Sequence, residues 1–137
     1  MNLSYPYTVE PQEGGGFFVQ FVDFEEAFTE GNNLEEAAFN AAEVLTGILT
    51  YRLEKGDSIP VPSVADQHPV ASPSAAVQSA LLLRQARGNR PLSDLARALE
   101  TSWAAAQRLE DPRHWPSLKQ LDRAARVLGK RLVLSLE

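Results

Sequence analysis

The spacing of apolar residues changes period along the chain, and each change marks an element. "YPYTVEP" (5–11) and "FFVQFV" (17–22) are rich in aromatic and β-branched residues and predict two strands. Between them "QEGGG" supplies three glycines for the positive φ angles of a tight hairpin. "AFTEG" (27–31) predicts a third short strand after a bend at 23–26. The period then lengthens: Leu34, Ala37, Ala38, Ala41, Leu45, Ile48 and Leu49 recur at helical spacing, one face of a helix packed on the sheet. Asn33 with Glu36 has the spacing of a capping box, and Gly56 is placed to end the helix in the left-handed conformation.

Periodicity lapses in "SIPVPSVADQHPVASPSAA", where four prolines sit among small and polar residues. This reads as a linker with room for a short extended strand. Helical spacing then returns. Val77 to Ala86 places Val77, Leu81 and Leu82 on one face and stops before Gly88. Pro91 leads "LSDLARAL", Ser102 caps a helix from Trp103 to Glu110, and Ser117 with Gln120 opens "LKQLDRAARVL", closed by Gly129. The final "RLVLSLE" alternates Leu132, Leu134 and Leu136 and predicts a strand. A lone terminal strand cannot satisfy its own backbone groups, so its expected partner is its twin in a second subunit. The expected class is therefore α+β. A three-stranded antiparallel sheet with one helix (1–62) is followed by a linker (63–76) and an all-α domain with a C-terminal strand (77–137).

Composition narrows the chemistry. The 137 residues hold no cysteine, which excludes disulfides, thiol nucleophiles and thiolate-held zinc, and only two histidines, His68 and His114. Their expected surroundings are solvent for His68 and, for His114, the loop before the last helix. No apolar run is long enough to span a membrane, and "MNLSYPY" lacks the regions of a signal peptide, so a cytoplasmic protein is expected. Net charge is −5, but it is unevenly spread. Residues 1–66 carry twelve acids against two bases, a balance of −10; residues 67–137 carry eleven bases against six acids, a balance of +5. Two electrostatic tasks are implied, one toward a cationic partner and one toward phosphates.

"LARALETSWAAAQRLEDPRHWPSLKQLDRAARVLGK" resembles the Cro/C1-type (Xre-like) helix-turn-helix domain. The matching positions are Leu95-Ala96, Leu99, Ala106, Leu109-Glu110, Pro116-Ser117-Leu118, Leu121 and Ala125 through Leu128-Gly129, and the resemblance covers about 78–130. Ala96 is small where two helices cross, and Leu99, Ala106 and Leu109 fill the space between them. The resemblance implies that the helix after Ser102 enters the major groove of operator DNA, presenting Ser102, Trp103, Ala104, Gln107 and Arg108. Gln107 and Arg108 are the best base-reading residues, while Arg90, Arg113 and Lys119 meet phosphates. Two departures stand out: Glu100 occupies a turn position where the family usually has glycine, and Trp103 and Ala104 replace polar residues. Trp103 either touches thymine methyl groups or packs on a neighbouring helix.

Residues 3–63 resemble the HicB antitoxin family. The points of match are the glycine-rich hairpin, the Phe-Val-Asp-Phe bend (21–24), Thr29 with Gly31, Asn33-Leu34-Glu35-Glu36-Ala37, and the "IPVPS" ending. The resemblance implies a partial RNase-H-like unit that masks a HicA-type toxin, a small basic mRNA-cleaving protein. It also implies a C-terminal domain that represses the operon as a dimer, for which the alternating Leu132, Leu134 and Leu136 are the expected dimerisation residues. No cofactor or metal and no enzymatic activity are expected, because two-metal hydrolysis needs carboxylates converging from several elements. Glu35 and Glu36 are instead accounted for by a helix start. Asp23, Phe24, Glu25, Glu26 and Glu30 are the candidate toxin-binding residues, the alternative for the 23–26 cluster being a solvated loop. The rival function is a stand-alone transcription regulator whose N-terminal domain senses a ligand.

Overall fold

The computed structural model describes residues 2–137. They form two compact units, one ending at Ser74 and one running Ala75–Glu137. In the first, β1 (Tyr5–Pro11), β2 (Phe17–Phe21), β3 (Phe28–Gly31) and β4 (Val70–Ala71) make one sheet in the order β3-β2-β1-β4, with α1 (Leu34–Lys55) packed on it. The sheet thus has four strands where the sequence pattern predicts three. The fourth comes from the expected linker: Ala71 pairs with Tyr5 and Val70 with Pro6, both antiparallel. Two short ladder pairs draw that proline-rich stretch into the fold as an edge strand.

The register fixes which side chains face the helix. β1 and β2 pair Tyr7 with Phe21, Val9 with Val19 and Pro11 with Phe17, and β2 and β3 pair Val19 with Thr29 and Phe17 with Gly31. Strand side chains alternate between faces, so these residues share the inner face. Tyr5, Tyr7, Val19 and Phe21 are buried there beneath Ala37, Ala41, Leu45, Leu49 and Leu53 of α1. Burial raises the pKa of both tyrosines, and the Tyr5 hydroxyl donates to the Pro60 carbonyl at 2.7 Å. Asn33 caps α1 by accepting from the Glu36 amide at 2.8 Å, and Gly56 closes it with φ 75°. One glycine governs how closely helix and sheet approach. A Cβ on Gly31 would lie 2.4 Å from the Ala37 nitrogen and 2.7 Å from its Cα, and neither backbone atom can swing aside.

The second unit is four helices: α2 (Ala75–Arg87), α3 (Leu92–Ala98), α4 (Trp103–Leu109) and α5 (Leu118–Val127). Leu83, Leu95, Ala96, Leu99, Ala106, Leu109, Ala124 and Leu128 form its core, so the positions assigned to helix crossing and packing are indeed buried. Ser102 and Ser117 cap α4 and α5, the latter in a complete capping box with Gln120. One buried ion pair joins distant parts: Glu110, 4% exposed, accepts from Arg87 Nε at 2.7 Å and Nη2 at 2.8 Å. Arg84 adds its guanidinium to the Glu110 carbonyl at 3.3 Å, so the end of α4 is clamped to α2. Within the single chain the terminal segment is not a strand. Residues 131–137 form no ladder with any described residue, and Leu134 and Leu136 are exposed, because no sheet edge within this all-helical unit offers them a partner.

All three tyrosines lie in the first unit and both tryptophans in the second, so each unit carries its own optical probe. Gly31→Ala should destabilise the first unit by about 2 kcal/mol through overpacking, read as an earlier urea transition in tyrosine near-UV dichroism with tryptophan fluorescence unmoved. Glu110→Ala leaves Arg87, whose side chain is 22% exposed, without its carboxylate and the end of α4 unclamped. It should lower the tryptophan-monitored stability by about 2 kcal/mol, as expected for charge-assisted hydrogen bonds lost at a part-buried site.

Candidate functional site

The acidic loop after β2 is folded back on its own chain. Gln20 Nε2 lies within hydrogen-bonding distance of the carbonyls of Phe24 (3.0 Å), Phe21 (3.1 Å), Ala27 (3.2 Å) and Glu25 (3.3 Å), which sets the loop's shape. Phe24, expected at a partner surface, is 0% exposed: its ring sits 5.0 Å from that of Tyr5 and 5.0 Å beneath the Arg52 guanidinium. An aromatic ring at this bend completes the core, which removes it from any contact surface. Glu26 pairs with Arg52 at 2.6 Å, and that hydrogen bond holds its carboxyl below the ordinary carboxylate range. Asp23 accepts from the Ser63 amide at 2.9 Å and from the Ser63 hydroxyl. Of the loop acids Glu25 alone, among the described residues, stands exposed with an unpartnered carboxylate.

At the helix start Glu35 and Glu36 occupy the first turn of α1, where their charge suits the dipole. The capping box is half formed there, because the Glu36 carboxylate meets the Asn32 amide at 3.4 Å instead of returning to Asn33. Among the described residues no three of His, Asp and Glu gather as a metal cluster. A shallow groove of about 430 Å³ lies between Glu26, Ile48, Tyr51, Arg52, Asp57 and Ser58.

The outer face of the sheet carries a constellation that sequence reasoning did not isolate. In register across three strands run Glu10, Phe18 and Glu30, and beside them Thr8, Gln20 and Phe28. Phe18 and Phe28 meet diagonally with ring centroids 6.1 Å apart, and Phe28 is 55% exposed. Glu10 is exposed, and Glu30 accepts from Gln12 at 3.2 Å. The signal was present: "FFVQFV" is apolar at both parities, whereas a sheet with one solvated face normally reads polar on that side.

In the second unit α4 turns one side outward. Ser102, Trp103 (52% exposed), Ala104, Gln107 and Arg108 are all exposed, at helical spacing on one face, while Ala106 and Leu109 point inward. The Ser102 hydroxyl accepts from the Ala105 amide at 3.1 Å. Arg108 and Lys119 are exposed and, among the described residues, unpaired. Arg113 is exposed, whereas Arg90 folds back on the Ala86 and Arg87 carbonyls. The turn between α3 and α4 does adopt the left-handed conformation at Glu100 (φ 55°), with the Glu100 amide on the Arg97 carbonyl and the Thr101 amide on that of Ala96. This double closure ordinarily takes glycine; a side chain there costs roughly 1 kcal/mol.

The chain thus joins an acidic sheet-and-helix unit to a basic four-helix unit. The family described as "HicB_like antitoxin of bacterial toxin-antitoxin system" matches residues 4–82. "Antitoxin HicB 1" of Photorhabdus laumondii is 31% identical over 137 residues, covering 99% of this chain and 88% of the relative. "Antitoxin HicB" of Escherichia coli K12 is 30% identical over 135 residues, covering 96% and 98%. "Antitoxin HicB 2" of Photorhabdus laumondii is 32% identical, covering 97% and 96%. The chain belongs to the HicB-like antitoxin family. Its relatives extend through the second unit as well as the first.

The Glu26–Arg52 pair makes a pH-dependent prediction. A lowered folded-state pKa contributes stability that is present above the ordinary carboxylate value of 4.5 and is lost as pH falls through the lowered value. The difference in tyrosine-monitored stability between the wild type and Glu26→Gln should therefore be constant near neutrality and close in acid below pH 4.5.

Proposed function

We propose that the first unit binds and neutralises a small basic HicA-type toxin that cleaves mRNA, and that the second represses the protein's own operon by binding operator DNA. The carrying observation is electrostatic. The boundary after Ser74 coincides with the change of charge, leaving twelve acids against two bases on one side and eleven bases against six acids on the other. Membership of an antitoxin family supports the first half of the reading. A balance of −10 complements a cationic toxin surface that holds RNA, for which the antitoxin would compete.

The second half rests on α3, the Glu100 turn and α4, whose layout supports a Cro/C1-type helix-turn-helix with α4 as the groove-reading helix. Gln107 and Arg108 are the base-reading side chains, and Lys119 with Arg113 contacts phosphate. A palindromic operator calls for a dimer. The unpaired tail with Leu132, Leu134 and Leu136 becomes its strand by pairing with the same segment of a second subunit. The rival reading, a ligand-sensing regulator, is favoured by one feature, the groove beside Arg52. Growth rescue and co-purification on co-expression with a short basic protein from an adjacent reading frame separate the two.

Gln107→Ala combined with Arg108→Ala should weaken operator binding by about 100-fold or more, measured by anisotropy with labelled promoter DNA, while growth rescue by the same variant stays intact. Loss of both activities would contradict the division of labour between the units.

A further inference from the structure

We infer that the toxin is held on the outer face of the sheet, by the Phe18–Phe28 pair and the carboxylates of Glu10 and Glu30, and not by the acidic loop at 23–26. The inference rests on the antitoxin reading above. It starts from a local anomaly: in a half-covered sheet the face away from the helix is normally polar, yet Phe18 and Phe28 project there, and Phe28 is half exposed.

The occupant follows from what surrounds the rings. Glu10 and Glu30 are the direct cross-strand neighbours of Phe18, so an apolar centre is bracketed by two negative charges on a rigid three-stranded support. The complementary surface is an apolar patch flanked by lysine or arginine, and a guanidinium laid over Phe28 would add a cation–π contact. A small basic protein fits that description. The loop at 23–26 fits it less well: Asp23 is spent on Ser63, Glu26 on Arg52, and Phe24 is inside the core. A competing exposed ring, Phe39 of α1, has Glu35 and Glu43 one helical turn to either side but no second aromatic, among the described residues, in contact with it.

The experiment uses the full chain and, as probe, the short basic protein encoded beside it, with binding measured by calorimetry and neutralisation by growth rescue. Four variants are compared: Phe28→Ser, Glu10→Lys with Glu30→Lys, Glu25→Lys, and Phe39→Ser. All alter exposed side chains, and thermal melts verify folding. The sheet variants should each weaken binding by roughly 100-fold, as for central contacts and charge reversals, and abolish rescue. Glu25→Lys and Phe39→Ser should stay within a few-fold of wild type. If the wild type binds and the sheet variants bind equally well, the inference is overturned while the antitoxin reading stands. It is overturned in the same way if Phe39→Ser or Glu25→Lys is the variant that loses binding. Should the sheet variants instead shift the particle mass in light scattering with binding unchanged, the face is a contact between copies of this chain, which also overturns the inference. A wild type that neither binds nor rescues removes the antitoxin reading itself, and the inference with it.

Discussion

The close approach of Gly31 to the first turn of α1 is the contact on which the first unit's geometry depends. With no Cβ in the way, β3 runs directly beneath Ala37, and α1 lies along the sheet so that Ala41, Leu45 and Leu49 seal the inner face. Once one face is sealed, strand parity decides everything on the other. A slip of one residue in β2 would bury Phe18 and Gln20 and expose Val19 and Phe21, so the hydrophobic core and the outer constellation are set by the same register. Core packing and the candidate partner surface are thus one constraint seen from two sides.

The second unit is organised by a different kind of contact. Its helices are short, and seven-residue helices such as α3 and α4 have little stability of their own. What fixes them is the shared apolar core and the bidentate Arg87–Glu110 pair that ties the end of α4 to α2. Arg87 is held firmly protonated by that carboxylate. A buried pair of this kind is a weak source of net stability but a strong determinant of geometry, since any other arrangement strands a charge. It holds the outward face of α4, with Gln107 and Arg108, in a fixed relation to the rest of the unit.

Much of this was legible in the sequence because it is written locally. The glycine hairpin, the Asn33 cap, the Gly56 stop, the serine caps of α4 and α5 and the left-handed turn at Glu100 each depend on residues within a few positions of one another. What was not legible depends on distance. The linker's room for a short strand was legible, but not that this strand, β4, lies against β1 as a fourth member of the sheet, and Glu110 meets a partner 23 residues away. The tail's alternation of Leu132, Leu134 and Leu136 states a capacity to pair, and the partner it was expected to meet is a second subunit, which the single chain does not supply. Phe24 misled through composition. Flanked by Asp23 and Glu25 it looked superficial, although the bend that carries it turns its ring into the core.

The fate of the acidic cluster bears on how a strongly charged unit recognises anything. A balance of −10 acts at long range and accelerates encounter with any basic protein, but screening limits such action to roughly 8 Å at physiological salt. Beyond encounter, the choice of partner and pose falls to carboxylates that remain free at the contact. Asp23 and Glu26 are already answered within the chain, by Ser63 and Arg52, and breaking those bonds to meet a partner would forfeit as much as it gained. Glu10 has no side-chain partner among the described residues and the Glu30 carboxylate accepts only from Gln12, at 3.2 Å, and both stand on strands whose spacing is fixed by the ladder. The densest acidic stretch in the sequence thus supplies attraction and internal bracing, and on the inferred surface discrimination falls to two sparser acids on either side of the partly exposed Phe18 ring.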